Sequence, residues 1–119
     1  MIITKIFTFD AAHKLVDYDG PCAKLHGHTY ILHISLKGEI NKTGFVMDFK
    51  DLKRIVNDEV LSNLDHSFLN DIIAQPTAEN IAMWILGKLK HKLPLFEIIL
   101  YETPDSYLLR KTSVSFTTL

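Results

Sequence analysis

The chain has 119 residues, 47% of them apolar and 23% charged, with a formal net charge of −1. Those proportions fit one soluble domain over residues 1–119 and exclude a disordered chain. They also argue against a nucleic-acid coat protein, which needs a clustered basic surplus. One cysteine among six histidines rules out an intramolecular disulfide and suits a reducing cytosol. The N-terminus lacks a basic stretch followed by a long apolar one, so no targeting segment is expected. The longest apolar run, around Ile81–Leu86, is far short of the ~20 residues of a membrane span. A cytoplasmic protein with neither membrane nor nucleic-acid partners is expected. A mean hydropathy of +0.10 is high for so small a domain and hints at apolar surface buried between subunits.

In chain order, Ile2–Phe9 reads as a strand, with Ile2, Thr4, Ile6 and Thr8 on one side and Ile3, Phe7 and Phe9 on the other. Val16–Lys24 holds Asp17, Asp19, Gly20 and Pro21 and reads as a loop. Thr29–Lys37 is a second strand, with Tyr30, Leu32, Ile34 and Leu36 on one face. Turn residues follow from Gly38 to Gly44, and Phe45–Met47 resumes extended chain. Asp48 has the character of an N-cap, with Phe49, Leu52, Ile55, Val56 and Val60 behind it at helical spacing. Leu61–Gln75 is irregular. Pro76-Thr77 opens a second helix, with Ala78, Ile81, Ala82, Ile85 and Leu89 as its apolar stripe. Phe96–Tyr101 and Tyr107–Phe116 are the third and fourth strands. The order ββααββ predicts an α+β fold: a four-stranded antiparallel sheet with both helices on one face.

The strongest chemical signal is His26-Gly27-His28. Alternate residues of a strand share a face, so both imidazoles can reach one metal ion. His13 joins them if the first two strands pair antiparallel. A histidine set without carboxylates suits a borderline metal, zinc by default. A His-x-His pair on a strand is otherwise ordinary surface. Cys22, four residues before His26, is open to three readings: a small buried hydrophobe, a fourth zinc ligand, or a thiolate acting as base or nucleophile. Asp65-His66 pairs a carboxylate with an imidazole, an acid–base couple or a simple turn cap. Glu102, at the end of the third strand, is either solvated or an acceptor for adjacent N–H donors such as a guanine-like or pterin ring presents. His33 and His91 read as bystanders.

Six segments occur together and in order: Phe9-Asp10-Ala11-Ala12-His13, Cys22-Ala23-Lys24-Leu25-His26-Gly27-His28, Met47-Asp48-Phe49, Leu64-Asp65-His66, Pro76-Thr77-Ala78-Glu79-Asn80 and Glu102-Thr103. Over nearly the whole chain this resembles the 6-pyruvoyl-tetrahydropterin synthase superfamily, and most of all its 6-carboxy-tetrahydropterin synthase branch. The resemblance implies one zinc per subunit on His13, His26 and His28, with the fourth position open. It implies Cys22 as general base, Asp65 and His66 as a proton relay, and Glu102 as anchor of the pterin ring and part of that relay, with Thr103 as a further substrate-binding residue. Lys14 and Lys24 are candidates for the phosphates, Lys24 as a substrate-binding residue. The implied fold is the tunnelling fold, in which trimers stack into a homohexamer with active sites between subunits. The implied reaction converts 7,8-dihydroneopterin triphosphate to 6-carboxy-tetrahydropterin, releasing acetaldehyde and triphosphate, on the route to 7-deazaguanine and queuosine. Two rivals stand beside it. One is the pyruvoyl branch, which keeps the three-carbon side chain and tends to a longer Cys-to-His-Gly-His spacing. The other is a non-catalytic module in which Cys22 closes a structural zinc site.

Overall fold

A long antiparallel hairpin sets the frame. A computed structural model describes residues 1–112, in which β1 (Ile2–His13) and β2 (His26–Lys37) pair without a break from Ile2 opposite Lys37 to His13 opposite His26. β1 therefore runs past its expected end at Phe9, and β2 begins before Thr29. Ala11 and Ala12 lie opposite His28 and Gly27, so backbone pairing carries the ladder through residues too small to mark a strand. β4 (Leu95–Thr103) pairs with β2, and β5 (Ser106–Lys111) pairs with β4, both antiparallel.

The expected four-stranded antiparallel sheet is corrected at one edge. β3 (Ser67–Phe68) lies parallel to β1, giving a five-stranded mixed sheet in the order β3-β1-β2-β4-β5. Two residues carry no readable periodicity. They are steered into place at His66, which has a left-handed φ of 59° and donates its N–H to the Asp10 carbonyl at 2.6 Å. The fourth expected strand ended at Phe116; β5 ends at Lys111, and residues 113–116 lie outside the described residues.

Asp48 caps α1 (Phe49–Val56), its carboxylate accepting the Lys50 N–H at 2.9 Å. The helix continues through a π-helical turn at Asn57–Leu61 into a last turn, α2 (Ser62–Leu64). Leu61–Leu64, the start of the segment expected to be irregular, is therefore helical. The Thr77 hydroxyl accepts the Asn80 N–H at 3.1 Å and caps α3 (Ala78–Leu89). Phe45–Met47, expected to be extended, joins no strand. The turn before it is held by the Asn41 carboxamide, which accepts N–H groups of Thr43 and Phe45.

The core lies between the helices and one sheet face. Phe7 and Phe9 of β1 and Tyr30, Leu32, Ile34 and Leu36 of β2 cluster with Leu52, Val56, Val60, Ile81, Ile85 and Leu89. Each aliphatic side chain buried this way contributes about 1.5–3 kcal/mol. Phe49, counted in the apolar stripe, stays 47% exposed because it occupies the first helical position, beyond the core. Among the described residues no helix lies over the opposite sheet face, and Ile6, Tyr107 and Leu109 on it are exposed. No helix among the described residues is long and apolar enough to cross a membrane.

Candidate metal centre and active site

The hairpin register makes the histidine cluster. His13 and His26 sit directly opposite each other, and His28 follows on the same face of β2. The three rings stand edge to face, with centroids 4.6 Å (His13–His26), 4.9 Å (His26–His28) and 5.3 Å (His13–His28) apart. Their ligand nitrogens lie within 4.8 Å of one another. This is the core face, so the cluster is the polar end of the hydrophobic core, and His13 is only 2% exposed.

Backbone carbonyls set the tautomers. His13 Nδ1 is 2.7 Å from the Pro76 carbonyl, and His26 Nδ1 is 2.7 Å from the Lys24 carbonyl. A carbonyl only accepts, so each Nδ1 carries a proton, and in the neutral ring each Nε2 then keeps its lone pair. Those two Nε2 atoms face each other at 3.0 Å. The Nε2 of His28 is buried without a hydrogen-bond partner among the described residues, and the nearest carboxylate oxygen, Glu102 Oε1, is 3.8 Å away. Burial holds the His28 pKa below the usual imidazole value; His13 and His26 push the same way and Glu102 opposes them. Neutral imidazoles with converging lone pairs repel one another in a low-dielectric pocket unless a cation lies between them. The donor set fits a divalent borderline metal, with the Pro76 and Lys24 carbonyls as the outer partners that orient such ligands. Tyr30, fully buried and stacked on Phe9, puts its hydroxyl 3.5 Å from His13 Nδ1. Burial, and then the Glu102 charge, raise its pKa far above the ordinary phenol value, so it stays neutral.

Cys22 and Glu102 join His13 around one cavity of about 300 Å³, lined on its other side by Thr77 and Glu79 of the α3 start and by Leu108 of β5. Cys22 sits in a 3-10 turn at Pro21–Ala23, half-buried and free. It belongs to neither cluster of converging donor atoms among the described residues, one formed by the three histidines and the other by Asp10, Asp65 and His66. Lys14, Lys24 and Thr103 do not line this cavity. The lysine side chains are exposed, and the Thr103 hydroxyl donates to Asp105 Oδ1 at 2.9 Å within the β4–β5 turn. His33 lies on the opposite sheet face against Tyr101, and His91 is exposed beyond α3.

Asp65 and His66 stand elsewhere. They follow α2, beside the end of β1, and His66 lines a second cleft of about 500 Å³ with Asp10, Gly27 and His28. Asp65 Oδ1 accepts the Asp10 N–H at 3.0 Å and lies 3.1 Å from His66 Nδ1. The Asp10 amide is the main reason the Asp65 pKa falls below the ordinary aspartate value, with His66 adding to it. Both are open to solvent, the His66 side chain at 79% exposure. One chain thus brings Cys22, Glu102 and the histidine triad together and leaves the Asp65–His66 pair apart. The sequence reading missed the Pro76 and Lys24 carbonyls, because a backbone acceptor leaves no mark in a side-chain pattern.

Comparison with known proteins gives a consistent result. A family profile described as 6-pyruvoyl tetrahydropterin synthase matches residues 2–112. A 6-carboxy-5,6,7,8-tetrahydropterin synthase of Haemophilus influenzae is 38% identical over 133 aligned positions, covering 88% of this chain and 94% of that protein. A dihydroneopterin monophosphate aldolase of Pyrococcus furiosus is 47% identical over 89 residues, covering 73% of each chain. Among solved structures, Caenorhabditis elegans 6-pyruvoyl tetrahydropterin synthase superposes with a TM-score of 0.85 at 28% identity, covering 95% of this chain and 96% of that one.

Proposed function

The chain belongs to the 6-pyruvoyl tetrahydropterin synthase family, and on that premise we propose that it is a zinc-dependent 6-carboxy-5,6,7,8-tetrahydropterin synthase acting on 7,8-dihydroneopterin triphosphate. The observation that carries this reading is the cavity itself: converging imidazole lone pairs, a free thiol and a carboxylate around one space. The Haemophilus influenzae relative, 38% identical over most of both chains, carries that name.

His13, His26 and His28 would hold the metal through Nε2. When bound, zinc supplies Lewis acidity toward hydroxyls of the substrate side chain, which makes the adjacent C–H more acidic. Cys22, outside the ligand group, removes that proton as a thiolate. Glu102, on the rim of the same cavity, accepts hydrogen bonds from adjacent N–H groups of the pterin ring. His66, paired with Asp65, returns a proton to the substrate. That pair stands apart from Cys22 in its own chain, so the reading puts it at a neighbouring subunit's site in a homohexamer. The uncovered sheet face carrying Ile6, Tyr107 and Leu109 supports such an assembly. Lys24 and Lys14, outside the cavity of their own chain, are assigned to the phosphates, and Thr103, next to Glu102 at the end of β4, is a further substrate contact. The products are 6-carboxy-tetrahydropterin, acetaldehyde and triphosphate.

The similarity to the monophosphate aldolase favours a second reading, a retro-aldol cleavage that releases a two-carbon phosphorylated aldehyde. The same site residues serve both. One experiment separates them: incubation with dihydroneopterin triphosphate and, separately, the monophosphate, with product identification and a metal assay on the same sample. Acetaldehyde with one zinc per chain is the expected result. A retained diketo side chain, or turnover of the monophosphate alone, overturns the carboxy-synthase assignment.

A further inference from the structure

Segment 14–16 leaves β1 and leads into the loop that carries Cys22, with no strand beside it among the described residues. Two side-chain amides take the place of one. Asn70 Oδ1 accepts the Lys14 N–H at 3.0 Å, and Asn70 Nδ2 donates to the Lys14 carbonyl at 2.9 Å. Gln75 Oε1 accepts the Val16 N–H at 2.7 Å, and Gln75 Nε2 donates to the Val16 carbonyl at 2.9 Å. Each amide satisfies both backbone groups of one residue, and the two residues are alternate, as in a strand ladder. Between them, Leu15 N–H donates to the Cys22 carbonyl at 2.9 Å, and Leu15 lines the cavity with Cys22. The Cys22 backbone therefore hangs from a residue gripped on both sides.

The second grip is tied to the metal centre. Gln75 is followed by Pro76, whose carbonyl orients His13. The Gln75 carbonyl is itself fixed, accepting from the Thr77 N–H at 2.9 Å and Asn80 Nδ2 at 2.9 Å. Consecutive residues thus hold the thiol loop and a candidate metal ligand, both anchored at the capped start of α3. We propose that Asn70 and Gln75 are positioning residues that fix the Cys22 thiol relative to the His13, His26 and His28 cluster. This rests on the reading of Cys22 as the base.

The test uses the full-length, zinc-loaded protein and the variants Gln75→Ala, Gln75→Glu, Asn70→Ala and Cys22→Ala. Misplacing a reacting group by about 1 Å can cost up to ~100-fold in rate. Gln75→Ala is expected to lower kcat about ten- to a hundredfold, with KM within about threefold and zinc content unchanged. Gln75→Glu keeps the acceptor for the Val16 N–H, so it is expected to recover part of the loss, and it serves as the readout if the alanine variant misfolds. Independently of turnover, alkylation of Cys22 by iodoacetamide is expected to quicken in Gln75→Ala and Asn70→Ala as the loop is freed. Unchanged kcat and alkylation rate in Gln75→Ala and Gln75→Glu, with Cys22→Ala inactive, would refute the clamp and leave the functional reading standing. Full turnover in Cys22→Ala would instead remove the base assignment, while the alkylation rates still report on the clamp.

Discussion

The histidine triad and the Asp65–His66 pair are opposite ways of placing polar groups. The triad sits on the longest paired strands, on the core face, with Nδ1 of His13 and of His26 pinned to a carbonyl. The pair sits after a helix end, on a residue of left-handed φ, and is open to solvent. Ligands of one ion must agree in position to a few tenths of an ångström, and a rigid hairpin end supplies that. A proton carrier needs one good orientation and access. Asp65 supplies the orientation from the Asp10 amide, and exposure leaves access free. The triad is complete within one chain. The pair faces solvent and does not line the cavity that holds Cys22 in its own chain.

The sharpest way to break this comparison is His26→Ala. If the triad is one unit, zinc content falls from about one per chain toward zero and turnover falls to background. Retained stoichiometric zinc would show that the three nitrogens do not act together. Cys22→Ala comes next: kcat is expected to fall about 10²–10⁴-fold, the usual worth of a general base, with zinc retained. Loss of zinc in that variant would make Cys22 a ligand and revive the structural-zinc reading.

Smaller effects probe the supports. Thr77→Ala removes the N-cap of α3 and is expected to cost about 1 kcal/mol in a denaturant titration. Because the neighbouring Pro76 carbonyl orients His13, zinc affinity in that variant should weaken too, by less than the 10–100-fold typical of losing such a partner. The smallest effect concerns Asp65. Its carboxyl should titrate below the ordinary aspartate range, and His66→Ala should leave most of that depression, because the Asp10 amide is its main cause. Carbon-13 NMR titration reads this directly; a return to the ordinary value in His66→Ala would make the imidazole the dominant partner. The sign follows from linkage: a folded-state pKa below the unfolded one gives stability that is present above about pH 4 and lost as pH falls through the folded value. In Asp65→Asn that part of the acid sensitivity should disappear.

Much of this protein was legible in the chain. Alternation marks the core faces of β1 and β2, and Asp48 and Thr77 have the residue types and positions of helix caps. His13, His26 and His28 were legible because parity along a strand fixes which side chains share a face. The limits were equally physical. β3 is two residues long and exists only because His66 turns the chain against β1, so no periodicity announced it. The π-helical turn keeps a helix running where the apolar spacing falters.

What the sequence determined by itself was therefore the set of groups and their faces: three histidines on a hairpin, a free cysteine before them, a carboxylate after β4. Side-chain identity and strand parity are local and survive without coordinates. Tertiary structure decided which of these meet. It brought Cys22 and Glu102 to the cavity of His13, sent His66 to another cleft with Asp65 beside it, and supplied the Pro76 and Lys24 carbonyls. Those outcomes depend on register, on loop closure and on backbone groups that every residue possesses alike.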